Sequence, residues 1–161
     1  MKRLLALLVL LLLLAPLGQA QELNHVSDLA GKLTLSERAQ LQQQASELFE
    51  LTGFDVIVHT TNDSQRKGPM DYSFDYYHSF RDAARYPDGA LLAIMFDTRD
   101  YYEAARGKGI PLLTHRESHD LGNVVQSKLT DGDYYGAFSD YIRYVKRLLV
   151  PLTPMEWATG L

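Results

Sequence analysis

An acid-glycine pair, Asp88-Gly89, and a Gly107-Lys108-Gly109 loop bracket a short apolar-then-polar stretch, and a polar run with His115 follows closely. A hard carboxylate, glycine carbonyls and a ring nitrogen are donors that a divalent ion takes, so Asp88 and His115 are candidate metal ligands for calcium or zinc. Gly107, Lys108 and Gly109 lie between Arg106 and Arg116, ahead of a helix start. They are candidate phosphate-binding residues, acting through backbone amides and the helix dipole. The spacing and the Ser/Thr of a P-loop are missing. His115 and His119 stand four apart, on one face of a helix, as zinc needs. Their string, His-Arg-Glu-Ser-His, is not the His-Glu-x-x-His of metalloproteases, and no third ligand is visible. The plainer reading of the same residues is a turn leading into a strand, a loop with surface cations and a solvated helix start. No serine sits in a nucleophile elbow. Asp131-Gly132-Asp133 reads as a turn and helix cap, because the regular acid spacing and distal Glu of a calcium loop are absent.

These residues need a scaffold, and the patterning supplies one. Gln21 to Lys32 reads as an extended lead-in. Thr34-Leu35-Ser36-Glu37 is a capping box, and the apolar spacing after it predicts a helix ending at Thr52-Gly53. Phe54 to Thr61 is strand-like, with Phe54, Val56 and Val58 sharing a face. Asp71 to Tyr86 predicts a second helix. Its aromatics Tyr72, Phe74, Tyr76, Tyr77 and Phe80 make it either a thick core helix or a partner-binding surface. Ala90 to Phe96 is apolar on both faces, as a central strand is. Tyr101 to Arg106 is more polar and belongs nearer an edge. With a turn at 97–100, Phe96 pairs with Tyr101, and Asp88 comes opposite about Gly109. Helices from about His115 to Leu129 and after an Asp133 cap complete the order α-β-α-β-β-α-α. The expected fold is a single-domain, three-layer α/β/α sandwich around a small mixed sheet.

The 161 residues amount to one domain. Met1-Lys2-Arg3, the apolar run Leu4 to Ala15 and the small residues Gly18-Gln19-Ala20 read as a signal peptide over 1–20, with cleavage after Ala20. The apolar run would span about 18 Å as a helix, against roughly 30 Å of hydrocarbon. The domain then occupies 21–150, and 151–161 is a tail or the start of a linker. Leu148 to Leu152 is too short for a second span and contains Pro151. The chain is therefore expected to be secreted or to face the outside of the cell envelope, either alone or as part of something longer. Its formal charge of −4 becomes two units more negative once Lys2 and Arg3 are removed. With no basic run, this excludes an ordinary nucleic-acid binder. The chain has no cysteine, so neither disulfides nor thiol chemistry is available.

Several motifs also carry a family resemblance. Val26-Ser27-Asp28-Leu29-Ala30-Gly31, Thr52-Gly53-Phe54-Asp55-Val56-Ile57-Val58, Asp88-Gly89 with Leu91-Leu92, the Arg99 turn, Gly107-x-Gly109 and Asp131-Gly132-Asp133-Tyr134-Tyr135-Gly136 occur in the order of the TPM domain family. The chain resembles that family, the thylakoid-lumen phosphatase-like and photosystem II repair-type domains, over about residues 24 to 149. It is most similar to exported bacterial members. The resemblance implies an α/β/α sandwich working outside the cytoplasm. For some members it implies acid phosphatase activity with bound calcium. For others it implies a non-enzymatic accessory role on membrane complexes, and bacterial relatives often carry a C-terminal membrane span. Where the family has Thr-Asp after the Gly-x-Gly loop, this chain has Thr114-His115.

The first expectation is a non-enzymatic interaction module for a membrane-associated complex, contacting a protein partner through Tyr72, Phe74, Tyr76 and Tyr77. The alternative is a weak metal-dependent acid phosphatase centred on Asp88 and His115. A secreted metal-binding module without catalysis comes third.

Overall fold

A computed structural model of the chain describes residues 23–113 and 115–150. The expected leader at 1–20 and the tail at 151–161 lie outside the described residues. So do Thr114 and the side chains of 115–121 and 124, which include both helical histidines.

Four strands form one sheet in the order β1 (Val26–Asp28), β2 (Asp55–Thr61), β3 (Gly89–Met95), β4 (Asp100–Arg106). β1, β2 and β3 run parallel and β4 closes antiparallel on β3. The sheet is thus mixed, and β4 is an edge strand as its polar composition suggests. The lead-in contains a strand that sequence alone gave as merely extended. β1 has only three residues, and its partners lie 32 residues away, so no local alternation marks it.

Helix α1 (Leu35–Thr52) begins at the Thr34–Glu37 capping box and stops where Gly53 turns left-handed, with φ 69°. Helices α4 (His115–Thr130) and α5 (Tyr134–Leu149) follow a four-residue turn of helix, α3 (Gly109–Leu112). The Asp133 side chain caps α5 by accepting from the Gly136 amide. Leu41, Ala45 and Leu48 of α1 meet Phe54, Val56 and Val58 of the β2 region, Leu92 of β3, and Phe138, Tyr141 and Val145 of α5 in the main core. Each such large apolar side chain contributes roughly 1.5–3 kcal/mol on full burial.

The opposite face carries α2 (Pro69–Phe80), over Ile57, Leu91, Ala93 and Ala104. This helix is shorter than the periodicity suggests, ending at Phe80 and not at Tyr86. Arg81 is extended (φ −134°), because its guanidinium turns inward to a buried carboxylate. The β3–β4 turn also differs from expectation. It occupies residues 96–99, Met95 pairs with Asp100, and Arg99 takes a left-handed conformation (φ 62°). The register is displaced by two residues, which leaves every side chain on its expected face.

Candidate functional site

The shifted register brings Asp88 opposite Gly107, not Gly109. The Asp88 carboxylate accepts from the Lys108 amide at 2.9 Å and lies 3.0 Å from Lys108 Nζ. These bonds, the amide first, hold its carboxyl below the usual range. Gly107 has φ 57°, and a Cβ there would run into Asp88 Oδ1 and the Pro87 carbonyl. A Cβ on Gly109 would run into the carbonyl of Gly89. The glycines therefore permit the loop to fold onto Asp88. The candidate metal ligand and the candidate phosphate cradle have become one closed unit, in which the carboxylate occupies the place an anion would take. A calcium ion at Asp88 must displace an ammonium, and no group of three or more metal-ligating side chains exists among the described residues. The described residues here do not fit that ion.

Asp28, an acid of the family motif, lies at the other end of the sheet. It pairs in register with Thr60 near the end of β2, whereas Asp88 precedes Gly89, the partner of Asp55 at the start of β2. About five residues of strand separate the two levels, roughly 17 Å. Burial acts to raise the Asp28 pKa. Bonds from Thr60 Oγ1 (2.5 Å) and the amides of Lys32 (3.0 Å) and Leu33 (2.9 Å) outweigh it and leave the group lowered. Asp97 at the same end accepts from the Ser64 amide and hydroxyl at 2.8 and 2.7 Å. Both acids thus fasten loops. Beside them a cavity of about 560 Å³ lies between the β3–β4 turn and the α4–α5 junction, with Phe96, Arg99, Gln126 and Tyr134 in its wall.

Two buried polar clusters escaped sequence reasoning. Asp55, fully buried, takes Arg81 Nε at 2.6 Å and His25 Nδ1 at 3.0 Å. Arg81 also donates to the Asn24 carbonyl. This cluster ties the chain ahead of β1 and the end of α2 to the sheet. Arg81 interrupting the helical run was the signal available for it.

The second cluster centres on His59, buried in the middle of β2. Its Nδ1 lies 3.2 Å from both the carbonyl and the hydroxyl of Ser27, and its Nε2 lies 2.9 Å from the Tyr72 hydroxyl. A carbonyl only accepts, so Nδ1 carries the proton, Nε2 accepts, and Tyr72 donates. The Ser27 hydroxyl cannot pass its proton to Nδ1 in this arrangement, so serine and histidine form no nucleophile–base pair. Burial pushes the His59 pKa down to about 4, which keeps the ring neutral. Tyr76 stacks on it at 3.6 Å and Phe80 stacks on Tyr76 at 5.2 Å. Burial pushes the Tyr76 hydroxyl up to about 12.

The aromatic helix therefore divides. Tyr72 and Tyr77 are buried, at 5% and 2% exposure, and serve the core. Phe74, Tyr76 and Phe80 are half-buried and form the outer part of the same layer.

Comparison with known proteins gives this arrangement its relatives. The family model described as TPM domain matches residues 26–148. The chain is similar to the UPF0603 protein YdjH of Bacillus subtilis (strain 168), 29% identical over 128 residues, covering 78% of this chain and 48% of that protein. It thus spans about half the length of that relative. Three solved structures share the fold. The BA42 protein of the psychrophilic bacterium Bizionia argentinensis has a TM-score of 0.63 and 18% identity, over 73% of this chain and 81% of that one. An N-terminal domain from P. gingivalis scores 0.59 with 16% identity, over 81% and 84%. An N-terminal domain from Corynebacterium glutamicum scores 0.62 with 14% identity, over 81% and 82%.

Proposed function

Because this chain belongs to the TPM domain family, we propose that it is an exported, non-enzymatic interaction domain serving a membrane-associated complex. The observation that carries this reading is the half-buried aromatic stack of α2. Tyr76 lies between His59 and Phe80, backed by a fully buried ring, so the outer rings are rigid before any partner arrives. Rigid aromatic area loses little conformational entropy on binding, which suits a contact surface. Asp88, the acid offered for catalysis, is already held by bonds within the protein, from the amide and the ammonium of Lys108.

The test is site-specific photo-crosslinking in the native cell envelope. A photoreactive residue replaces Tyr76, and a control replaces the exposed Gln43 on α1. One recurrent protein adduct at position 76, absent at position 43, is expected. The competing phosphatase reading is assayed in parallel with a chromogenic phosphate ester. Turnover abolished by Asp88→Ala, together with no adduct at position 76, would overturn the proposal in favour of catalysis.

A further inference from the structure

The cavity of about 560 Å³ beside the β3–β4 turn has no part in the reading above. It lies at the carboxyl end of β3, the end at which open α/β sheets bind ligands, and its size suits a small molecule. Phe96, Tyr101, Leu129 and Tyr134 supply apolar wall. Phe96 and Tyr134 meet edge to face at 5.2 Å. Tyr101 comes close to α4 because Gly122 has no side chain: a Cβ there would lie 3.0 Å from the Tyr101 hydroxyl. Two opposite charges, Arg99 and Asp100, stand in the same wall. Both are exposed, and neither side chain is paired with the other or with any described residue. Arg99 holds φ 62°, a conformation that glycine adopts at lower cost. The turn gains nothing from an arginine there, which points to a use for the guanidinium. The turn is anchored all the same, through Asp97 and its two bonds from Ser64, so the wall is formed before a ligand arrives.

We propose that this cavity binds an aromatic α-amino acid, with its carboxylate on Arg99, its ammonium on Asp100 and its ring among Phe96, Tyr101 and Tyr134. An unpaired cation and an unpaired anion, adjacent in the chain, match a ligand that carries both charges on one carbon. Gln126, exposed in the same wall with its side chain uncommitted among the described residues, can donate to the carboxylate. A ligand with a positive charge alone is disfavoured at the rings. Lys32 Nζ already lies 4.5 Å from the Phe96 centroid and 5.9 Å from that of Tyr134. A multiply charged anion such as a phosphate ester is disfavoured too. Besides Asp100 it meets the field of Asp97 in the turn and of Asp133, the cap that precedes Tyr134. The cavity lies on the α4 and α5 side of the sheet, across from the aromatics of α2, so it is independent of the interaction surface proposed above.

The test is amide NMR of the purified protein during titration with L-phenylalanine. Saturable shifts are expected around the β3–β4 turn and the α4–α5 junction. Phenylpropanoate lacks the ammonium and phenethylamine lacks the carboxylate, and each should bind at least about tenfold more weakly. Arg99→Gln should weaken L-phenylalanine by a similar factor and leave phenethylamine unchanged. Asp100→Asn should weaken L-phenylalanine and leave phenylpropanoate unchanged. Arg99→Gly should lose the ligand without lowering the melting temperature, because glycine relieves the left-handed residue. That split separates a guanidinium kept for a ligand from one kept for the turn. No saturable shift with L-phenylalanine would overturn the proposal. So would phenylpropanoate binding as tightly as the amino acid, or a loss in Arg99→Gln shared equally by all the ligands.

Discussion

His59 links stability to acid, and its environment sets the size of the effect. The ring is fully buried, stacked under Tyr76, with one nitrogen committed to Ser27 and the other to Tyr72. Protonating Nε2 would set an N–H against the hydroxyl that donates to it, in a place shut off from bulk solvent. Burial therefore lowers its pKa from the ordinary 6.5 to about 4. In the unfolded chain the ring binds its proton at the ordinary value. Between these values the unfolded state holds more protons than the folded state, so stability falls as pH is lowered. The contribution is complete above pH 6.5 and is lost progressively down to about pH 4. One pKa unit is worth about 1.4 kcal/mol, so the whole window amounts to about 3 kcal/mol. That is a large share of the roughly 5–15 kcal/mol that holds a domain together. The assay is urea unfolding at half-unit steps from pH 7 to pH 4, comparing the native protein with His59→Gln. Glutamine can still donate to Ser27 and accept from Tyr72, but it does not titrate. The variant starts less stable and should lose about 3 kcal/mol less across the window. Asp28 has a lowered pKa and titrates below this range, so it leaves the comparison intact. Equal slopes in the two proteins would refute the assignment of the acid sensitivity to His59.

Arg81→Met removes the guanidinium from the buried Asp55 carboxylate, leaving His25 beside it, and should cost about 3–5 kcal/mol. Adding Asp55→Leu should restore much of that, and a loss under about 1 kcal/mol in the single variant would mean the pair behaves as a surface contact. Gly107→Ala forces a side chain into a left-handed position against Asp88, and thermal melting should register a loss of about 1–3 kcal/mol. Because Lys108 holds the Asp88 carboxylate, calcium chloride should leave the melting temperature unchanged; a rise that saturates with calcium would show a native-state binding site.

Much of the fold was legible because its signals are local. The Thr34–Glu37 box, the Gly53 stop, the continuous apolar run of β3 and the Asp133 cap each act within a few residues of themselves. β1 was not legible as a strand, because three residues carry no period and their partner is far along the chain. The end of α2 was missed for a similar reason. Arg81 is the one local mark beside Phe80, and it does not show that its partner is Asp55, 26 residues earlier. The candidate site was legible as a meeting of parts, Asp88 with the Gly107–Gly109 loop, but not as a relationship. Residue types suggested that Asp88 and Lys108 would act on a ligand, and only the register shows them acting on each other. His59 looked like one more member of a strand, because burial and a hydrogen-bond partner leave no mark on neighbouring residues.

The aromatic richness of α2 follows from a difference between the two faces of the sheet. One face meets α1 and α5 in a broad core, with aliphatic side chains enough to fill it. The other is covered by a single twelve-residue helix. Four strands about 4.8 Å apart place their outer axes about 14 Å from each other. A helix with its side chains is about 10 Å across, too narrow to cover them with short groups. Long flat rings solve this. Phe74 reaches Tyr102 on β4 at 6.0 Å, and Tyr72 and Tyr76 reach His59 on β2. Small residues beneath them, Gly89, Ala93 and Ala104, make the room. A layer built this way has a sealed centre and an incompletely covered rim. Tyr77 occupies the centre, and Phe74, Tyr76 and Phe80 form the rim. The same geometric shortage that makes α2 a core helix thus leaves its margin as rigid, half-exposed aromatic surface, so the core and partner readings of this helix describe different residues of one element.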